Sequence, residues 1–159
     1  MTQLSLTLNG KPCELDVEDR TLLVTALRNH AGLTGTHIGC DTAQCGACSV
    51  RLNGRVVKSC SILAAQADGA EIETIEGVSP EGQPLHPMQQ AFSVCLGLQC
   101  GYCTPGMVMT ALDLVAENPD PDRDAIAAAL EGNLCRCTGY ENIIAAIQMG
   151  AKAMRERGN

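Results

Sequence analysis

The sequence has no tryptophan, and aromatic residues make up only 2% of it. Flat platforms for stacking bases or sugar rings are therefore scarce. A positive surplus is missing too, since 11 Lys and Arg stand against 18 Asp and Glu, a formal charge of −7. A nucleic-acid-binding face needs the opposite balance, so no nucleic-acid partner is expected. No stretch approaches the roughly 18 apolar residues of a membrane span. The first ten residues, MTQLSLTLNG, have neither the basic region nor the apolar run of a secretory signal. A cytoplasmic protein is expected, with export on a signal-bearing partner left open.

Against these absences stand ten cysteines in 159 residues. In a reducing compartment, metal ligation is a better use of thiols than disulfides. Cys40, Cys45 and Cys48 are spaced C-x4-C-x2-C, and Cys60 follows a short insert. That is the plant-type ferredoxin spacing for a [2Fe–2S] cluster. Gly39 and Gly46, with the small Ala43 and Ala47, let the backbone wrap tightly, and the wrap turns N–H groups towards an anionic cluster. A four-cysteine zinc site more often shows two C-x2-C pairs.

Alternation of Leu4, Leu6 and Leu8 with polar residues predicts a half-buried strand, and Asn9-Gly10 predicts a tight hairpin turn. Cys13, Leu15 and Val17 continue the pattern on the returning strand, so Cys13 reads as a buried structural thiol. Leu22, Leu23, Ala26 and Leu27 recur at helical spacing over Thr21–Asn29. Asn53-Gly54 marks a second hairpin that returns Cys60 to the first three thiols. A short helix over Ser61–Ala67 and a strand over Glu71–Ile75 complete a small mixed sheet. Residues 77–87, rich in Gly and Pro, read as a linker. Beyond it the period becomes 3.6. Met88, Ala91, Phe92 and Cys95 share a stripe, which places Cys95 in a core. Thr104-Pro105 reads as a capped helix start. Asp122 or Asp120 caps a third helix ending near Gly132. A fourth runs from Tyr140 to Met154. The predicted fold class is α+β: an N-terminal β-grasp, plant-type ferredoxin domain over residues 1–76, then a C-terminal four-helix bundle over 88–159.

A second set of thiols lies in the helical half, Cys100-Gly-Tyr-Cys103 and Cys135-Arg-Cys137. Two helix N-termini meeting at one end of the bundle would gather all four and favour an anionic ligand. From spacing alone, a second [2Fe–2S] cluster, zinc and dithiol chemistry all remain open. The histidines carry little: His30 ends the first helix, His86 caps the helix after the linker, and His37 precedes the cluster loop.

Three segments together resemble a known family. Gly39-Cys-Asp-Thr-Ala-Gln-Cys-Gly-Ala-Cys48, Leu98-Gln-Cys-Gly-Tyr-Cys-Thr-Pro-Gly-Met107 and Gly132-Asn-Leu-Cys-Arg-Cys-Thr-Gly-Tyr140 resemble the small iron–sulfur subunit of molybdenum hydroxylases. This is the xanthine oxidase, aldehyde oxidase and carbon monoxide dehydrogenase family. The resemblance runs from Leu4 to Met154. Around His37-Ile-Gly-Cys40 and Lys58-Ser-Cys60 it is nearest to small subunits of the carbon monoxide dehydrogenase type.

The resemblance implies two [2Fe–2S] clusters. Cys40, Cys45, Cys48 and Cys60 would hold the plant-type one, and Cys100, Cys103, Cys135 and Cys137 the bundle one. It implies a molybdopterin-type molybdenum cofactor on a large subunit, touched by Gln99 and Cys137, and FAD on a medium subunit. The assembly would be a heterotrimer, alone or dimerised. This chain would transfer electrons and carry no catalytic residues, as a separate subunit with no pterin or flavin region. Arg136 would raise the bundle potential or form an interface salt bridge. Asp41 would lower the plant-type potential or cap a turn. Two other functions fit the same residues, a freestanding two-cluster ferredoxin shuttle and a zinc-stabilised interaction module.

Overall fold

Two Asn-Gly pairs build the sheet. Asn9 and Gly10 take φ of 51° and 76°, and Asn53 and Gly54 take 50° and 82°, the backbone that two-residue hairpin turns require. In the computed structural model, which describes residues 1–158, the first turn joins strands β1 (Thr2–Leu8) and β2 (Lys11–Val17). The second joins β3 (Ser49–Leu52) and β4 (Arg55–Lys58). β5 (Glu71–Glu73) lies between the hairpins, parallel to β1 and antiparallel to β3, giving the order β2-β1-β5-β3-β4.

One side of the sheet buries Leu4, Leu6, Leu15 and Ile72 against Leu23 and Leu27. Leu23 lies on helix α1 (Leu23–Thr25) and Leu27 on the π-helical turn over Ala26–His30 into which it widens. Leu22, expected on the helix's apolar stripe, stands before it instead. It is exposed and bridges to Leu63, because pairing with the extended chain there replaces burial. Cys13 is half-buried against the same core. The helix expected over Ser61–Ala67 is two 3-10 turns, Ser59–Ser61 and Ala64–Ala67. The last strand stops at Glu73, and a short helix α2 (Ile75–Val78) takes up Gly77 and Val78.

Four further helices share a second apolar core of Met88, Phe92, Met107, Ile126, Ile143 and Ile147. They are α3 (Pro87–Val94), α4 (Thr104–Glu117), α5 (Arg123–Ala129) and α6 (Glu141–Glu156). The Nδ1 of His86 caps α3 by accepting from Met88 N–H, and Asp122 caps α5 by accepting from Ala125 N–H. Cys95 falls just past α3, half-buried, its Sγ 3.5 Å from Met149 Sδ. Thr104 was expected to cap α4, yet Cys103 holds that position. The buried Thr104 hydroxyl has no hydrogen-bond partner.

α4 joins the halves. It packs on β3 and β4, Asp113 accepts from Val56 N–H of the edge strand at 3.1 Å, and Glu117 pairs with Arg55. Among the described residues no helix is long and apolar enough to cross a membrane.

Candidate metal centre

All ten cysteines are free thiols, and eight of them gather in two sets. Cys40, Cys45 and Cys48 of the first set sit on the irregular loop between α1 and β3, and Cys60 lies in the 3-10 turn after β4. Cys45 N–H donates to Cys40 Sγ at 3.4 Å, and the N–H groups of Thr42 and Gln44 also serve that sulfur. These donors hold the Cys40 thiol down to about 6, because hydrogen bonds to the charged form favour it. Pairing of Ser49 with Lys58 across the hairpin returns Cys60 to Cys48. Burial, then the Cys48 thiol and the nearby Cys40 and Cys45, push the Cys60 thiol up to about 12.

The second set lies where α4 begins and where the chain approaches α6. Cys137 and Cys100 have sulfurs 3.5 Å apart, and both are exposed. Cys103 is pushed up to about 12 by burial and by the neighbouring Cys135 and Cys100 thiols. Burial opposes ionisation of Cys135 as well. There the Thr138 hydroxyl, 3.1 Å from the sulfur, and the N–H groups of Thr138 and Cys137 outweigh it and hold the thiol low. Only one helix N-terminus meets these thiols directly. Thr138, Gly139 and Tyr140 separate the second pair from α6, and the Tyr140 hydroxyl ties them down, accepting from Cys135 N–H at 2.9 Å and donating to Asn133 O at 3.1 Å.

Four thiols this close cannot all ionise unless a cation replaces the protons. Each set mixes thiols poised to ionise with thiols held neutral, a donor set that fits thiolate ligation of metal. Among the described residues no group of three or more His, Cys, Asp or Glu forms a site for a single metal ion. A dinuclear cluster differs, since it divides four thiolates between two irons. A cavity of about 490 Å³ is lined by Cys100, Cys103, Cys135 and Cys137, with Cys45 of the other set on its wall.

The two loops are laced together. Leu134 N–H donates to Cys45 O at 2.8 Å, so one hydrogen bond joins a residue of the first set to the neighbour of Cys135. Asn133 Nδ2 donates to Gly46 O at 3.3 Å, and Asn133 Oδ1 accepts from Thr110 Oγ1 at 3.1 Å. His37 stacks on Tyr102 with ring centroids 4.5 Å apart, and its Nδ1 lies 2.7 Å from Tyr102 O. The Tyr102 hydroxyl donates to Ile38 O at 2.9 Å. His37, which precedes the first thiol loop, therefore links the two loops.

Gln99 is exposed beside Cys100. Arg136 and Asp41 are exposed, and neither pairs with an opposite charge among the described residues. Cys13 and Cys95 stand outside both sets. Sequence reasoning missed Asn133, Thr110 and Lys58. The first two had no signal, because an Asn and a Thr 23 residues apart show no pattern. Lys58 had one in its place two residues before Cys60 on a strand.

Comparison with known proteins agrees with this geometry. A family described as a 2Fe-2S iron-sulfur cluster binding domain matches residues 6–76, and one described as a [2Fe-2S] binding domain matches residues 74–148. The nicotinate dehydrogenase small FeS subunit of Eubacterium barkeri is 46% identical, over 91% of this chain and 92% of its own. The caffeine dehydrogenase subunit gamma of Pseudomonas sp. (strain CBB1) is 47% identical, over 91% of this chain and 88% of its own. Among solved structures, quinoline 2-oxidoreductase from Pseudomonas putida 86 superposes with a TM-score of 0.93 at 48% identity, covering 98% of this chain and 96% of that one. With two cluster-binding domains in one chain and such relatives along nearly its whole length, this protein belongs to the small iron–sulfur subunits of the molybdenum hydroxylases, and it binds two [2Fe–2S] clusters as part of an oxidoreductase complex.

Proposed function

We propose that this chain carries electrons from a molybdopterin centre on a large subunit towards FAD on a medium subunit. In this reading Cys40, Cys45, Cys48 and Cys60 hold the plant-type cluster, and Cys100, Cys103, Cys135 and Cys137 hold the other. A [2Fe–2S] cluster supplies one-electron storage between a two-electron oxidation and its acceptor. The protein's part is to hold the thiolates, limit water and fix the separation of the two stations. Residues 1–76 and 88–159 serve as the two cluster domains, joined by 77–87, with the first organised as a β-grasp and α3 to α6 acting as a four-helix bundle. The subunit works in the cytoplasm of its cell, within a heterotrimer.

The observation that carries this reading is the asymmetry of the two thiol sets. Cys100 and Cys137 are exposed, and Leu98, Leu134, Tyr102 and Ile38 around them are exposed large hydrophobics. Cys48 of the other set is buried. The surface set suits contact with a partner's cofactor, since a clustered apolar surround marks an interaction face. Gln99 and Cys137 stand on that face and would touch the pterin, the Gln99 amide both donating to and accepting from its edge. The Leu134–Cys45 hydrogen bond then gives a short covalent and hydrogen-bonded route inward.

The test is Cys137→Ser in the purified native complex. The magnetic coupling between molybdenum and the nearer cluster should change, while the plant-type signal stays as it was. Unaltered coupling with both clusters present contradicts the placement of the bundle cluster beside the molybdenum.

A further inference from the structure

Lys58 ends strand β4, two residues before Cys60. Its ammonium donates to Ala43 O at 2.8 Å and to Gln44 O at 3.2 Å. Each of these carbonyls shares a peptide group with the N–H of the following residue. The Ala43 carbonyl is joined to Gln44 N–H, and the Gln44 carbonyl to Cys45 N–H. Those two N–H groups are among the donors to Cys40 Sγ. One cation thus grips the negative ends of two peptide dipoles whose positive ends face the sulfur. Because the peptide group is planar, fixing its oxygen aims its N–H. A charge at the oxygen also polarises the group and strengthens its hydrogen bond at the other end.

Two further observations agree. Ala43 has φ 55°, a left-handed conformation that a residue with Cβ resists, and Lys58 holds its carbonyl there. Such a turn points successive N–H groups into one concavity. Lys58 also makes no ion pair with a carboxylate among the described residues. Its charge therefore acts on the loop without a local counter-ion. A Cβ at Gly132 would lie 3.4 Å from Lys58 Nζ, so the ammonium sits between the two ligand loops, against the segment leading to Cys135.

We propose that Lys58 is a positioning residue that raises the reduction potential of the plant-type cluster, by holding and polarising the peptide groups that donate to Cys40, and so draws the electron towards that cluster. Hydrogen bonds to the sulfurs are one of the factors that set such potentials. The inference rests on Cys40 being a cluster ligand, as proposed above.

The experiment is an EPR-monitored redox titration of the assembled complex carrying Lys58→Met, Lys58→Arg or the native residue. Lys58→Met should lower the plant-type potential relative to the bundle potential. The electron's partition between the clusters should shift roughly tenfold, about 59 mV for a one-electron couple. Lys58→Arg, which keeps charge and donors, should restore most of the native difference. If Lys58→Met loses the plant-type signal, Lys58→Gln is titrated against the same criterion. A difference between the two potentials that is unchanged in the neutral variant overturns the inference. Failure of the underlying ligand reading looks different, because the native complex itself would then lack a plant-type signal.

Discussion

Gly106→Ala probes how closely the two thiol-bearing loops are held. Gly106 lies in the first turn of α4, three residues after Cys103. A Cβ there would stand 2.2 Å from Gly46 O and 3.2 Å from Ala47 Cα. Both are backbone atoms of the Cys45–Cys48 segment, so no side-chain rotation relieves the clash. The contact must open by about 0.8 Å to reach even 3.0 Å, closer than which real Cβ atoms essentially never come. Two effects then compete. Alanine improves on glycine within a helix by roughly 0.5–1 kcal/mol, whereas overpacking costs about 1–3 kcal/mol. The clash wins because neither neighbour can yield alone. A net loss of about 1–2 kcal/mol should lower Tm by roughly 2–8 °C in a chain of this size. Because α4 and the plant-type loop move apart, the magnetic coupling between the two reduced clusters should weaken as well. Scanning calorimetry and EPR of the loaded protein read the two effects. An equal or higher Tm with unchanged coupling refutes the close approach of Gly46 and Gly106 as a spacing device.

Further outcomes follow from the charges around the thiols. Arg136, exposed between Cys135 and Cys137, would favour the reduced form of a cluster held there, so Arg136→Ala should lower that potential alone, and a redox titration with no shift in either cluster removes the role. Without metal, Cys60 and Cys103 keep their protons up to about 12, against 9.0 ordinarily. Their contribution to stability is complete below pH 9 and is lost as pH rises towards 12. Cys40 acts in the opposite sense and in a different window, its contribution present above pH 9 and lost as pH falls through about 6, so it does not offset the loss between pH 9 and 12. The urea midpoint of iron-stripped protein should therefore fall between pH 9 and 12, while protein whose thiols are held by metal should show a flatter profile. A flat profile in the stripped protein contradicts the assignment.

Patterns that repeat along the chain were legible in the sequence, and contacts that close across it were not. Asn9-Gly10 and Asn53-Gly54 announced both hairpins, since few other pairs accept positive φ at two successive positions. Leucine alternation gave β1, and the stripes of α3 and α6 gave the second core. The ends of elements were less readable. Thr104-Pro105 looks like a cap and first turn, but the chain reaches α4 one residue earlier, with Cys103 in the cap position. Leu22 has the right spacing for the α1 stripe, yet a bridge to Leu63 draws it out of the helix. The thiol spacing announced a loop that gathers Cys40, Cys45 and Cys48 with the returning Cys60, because closely spaced thiols on a short wrap leave few other arrangements. What sets the relation between the two thiol sets is carried by Asn133, Thr110, Lys58 and Gly106. Each acts through a partner far away in sequence, such as Gly46 O or Ala43 O, and of the four only Lys58, two residues before Cys60, carries a local mark.

The most direct test is the metal content of the intact assembly, measured together with its EPR spectrum after full reduction. About four irons and four labile sulfides are expected per copy of this chain, in two spectroscopically distinct [2Fe–2S] species. Zinc in place of iron, or a single cluster species at half that iron content, would contradict it.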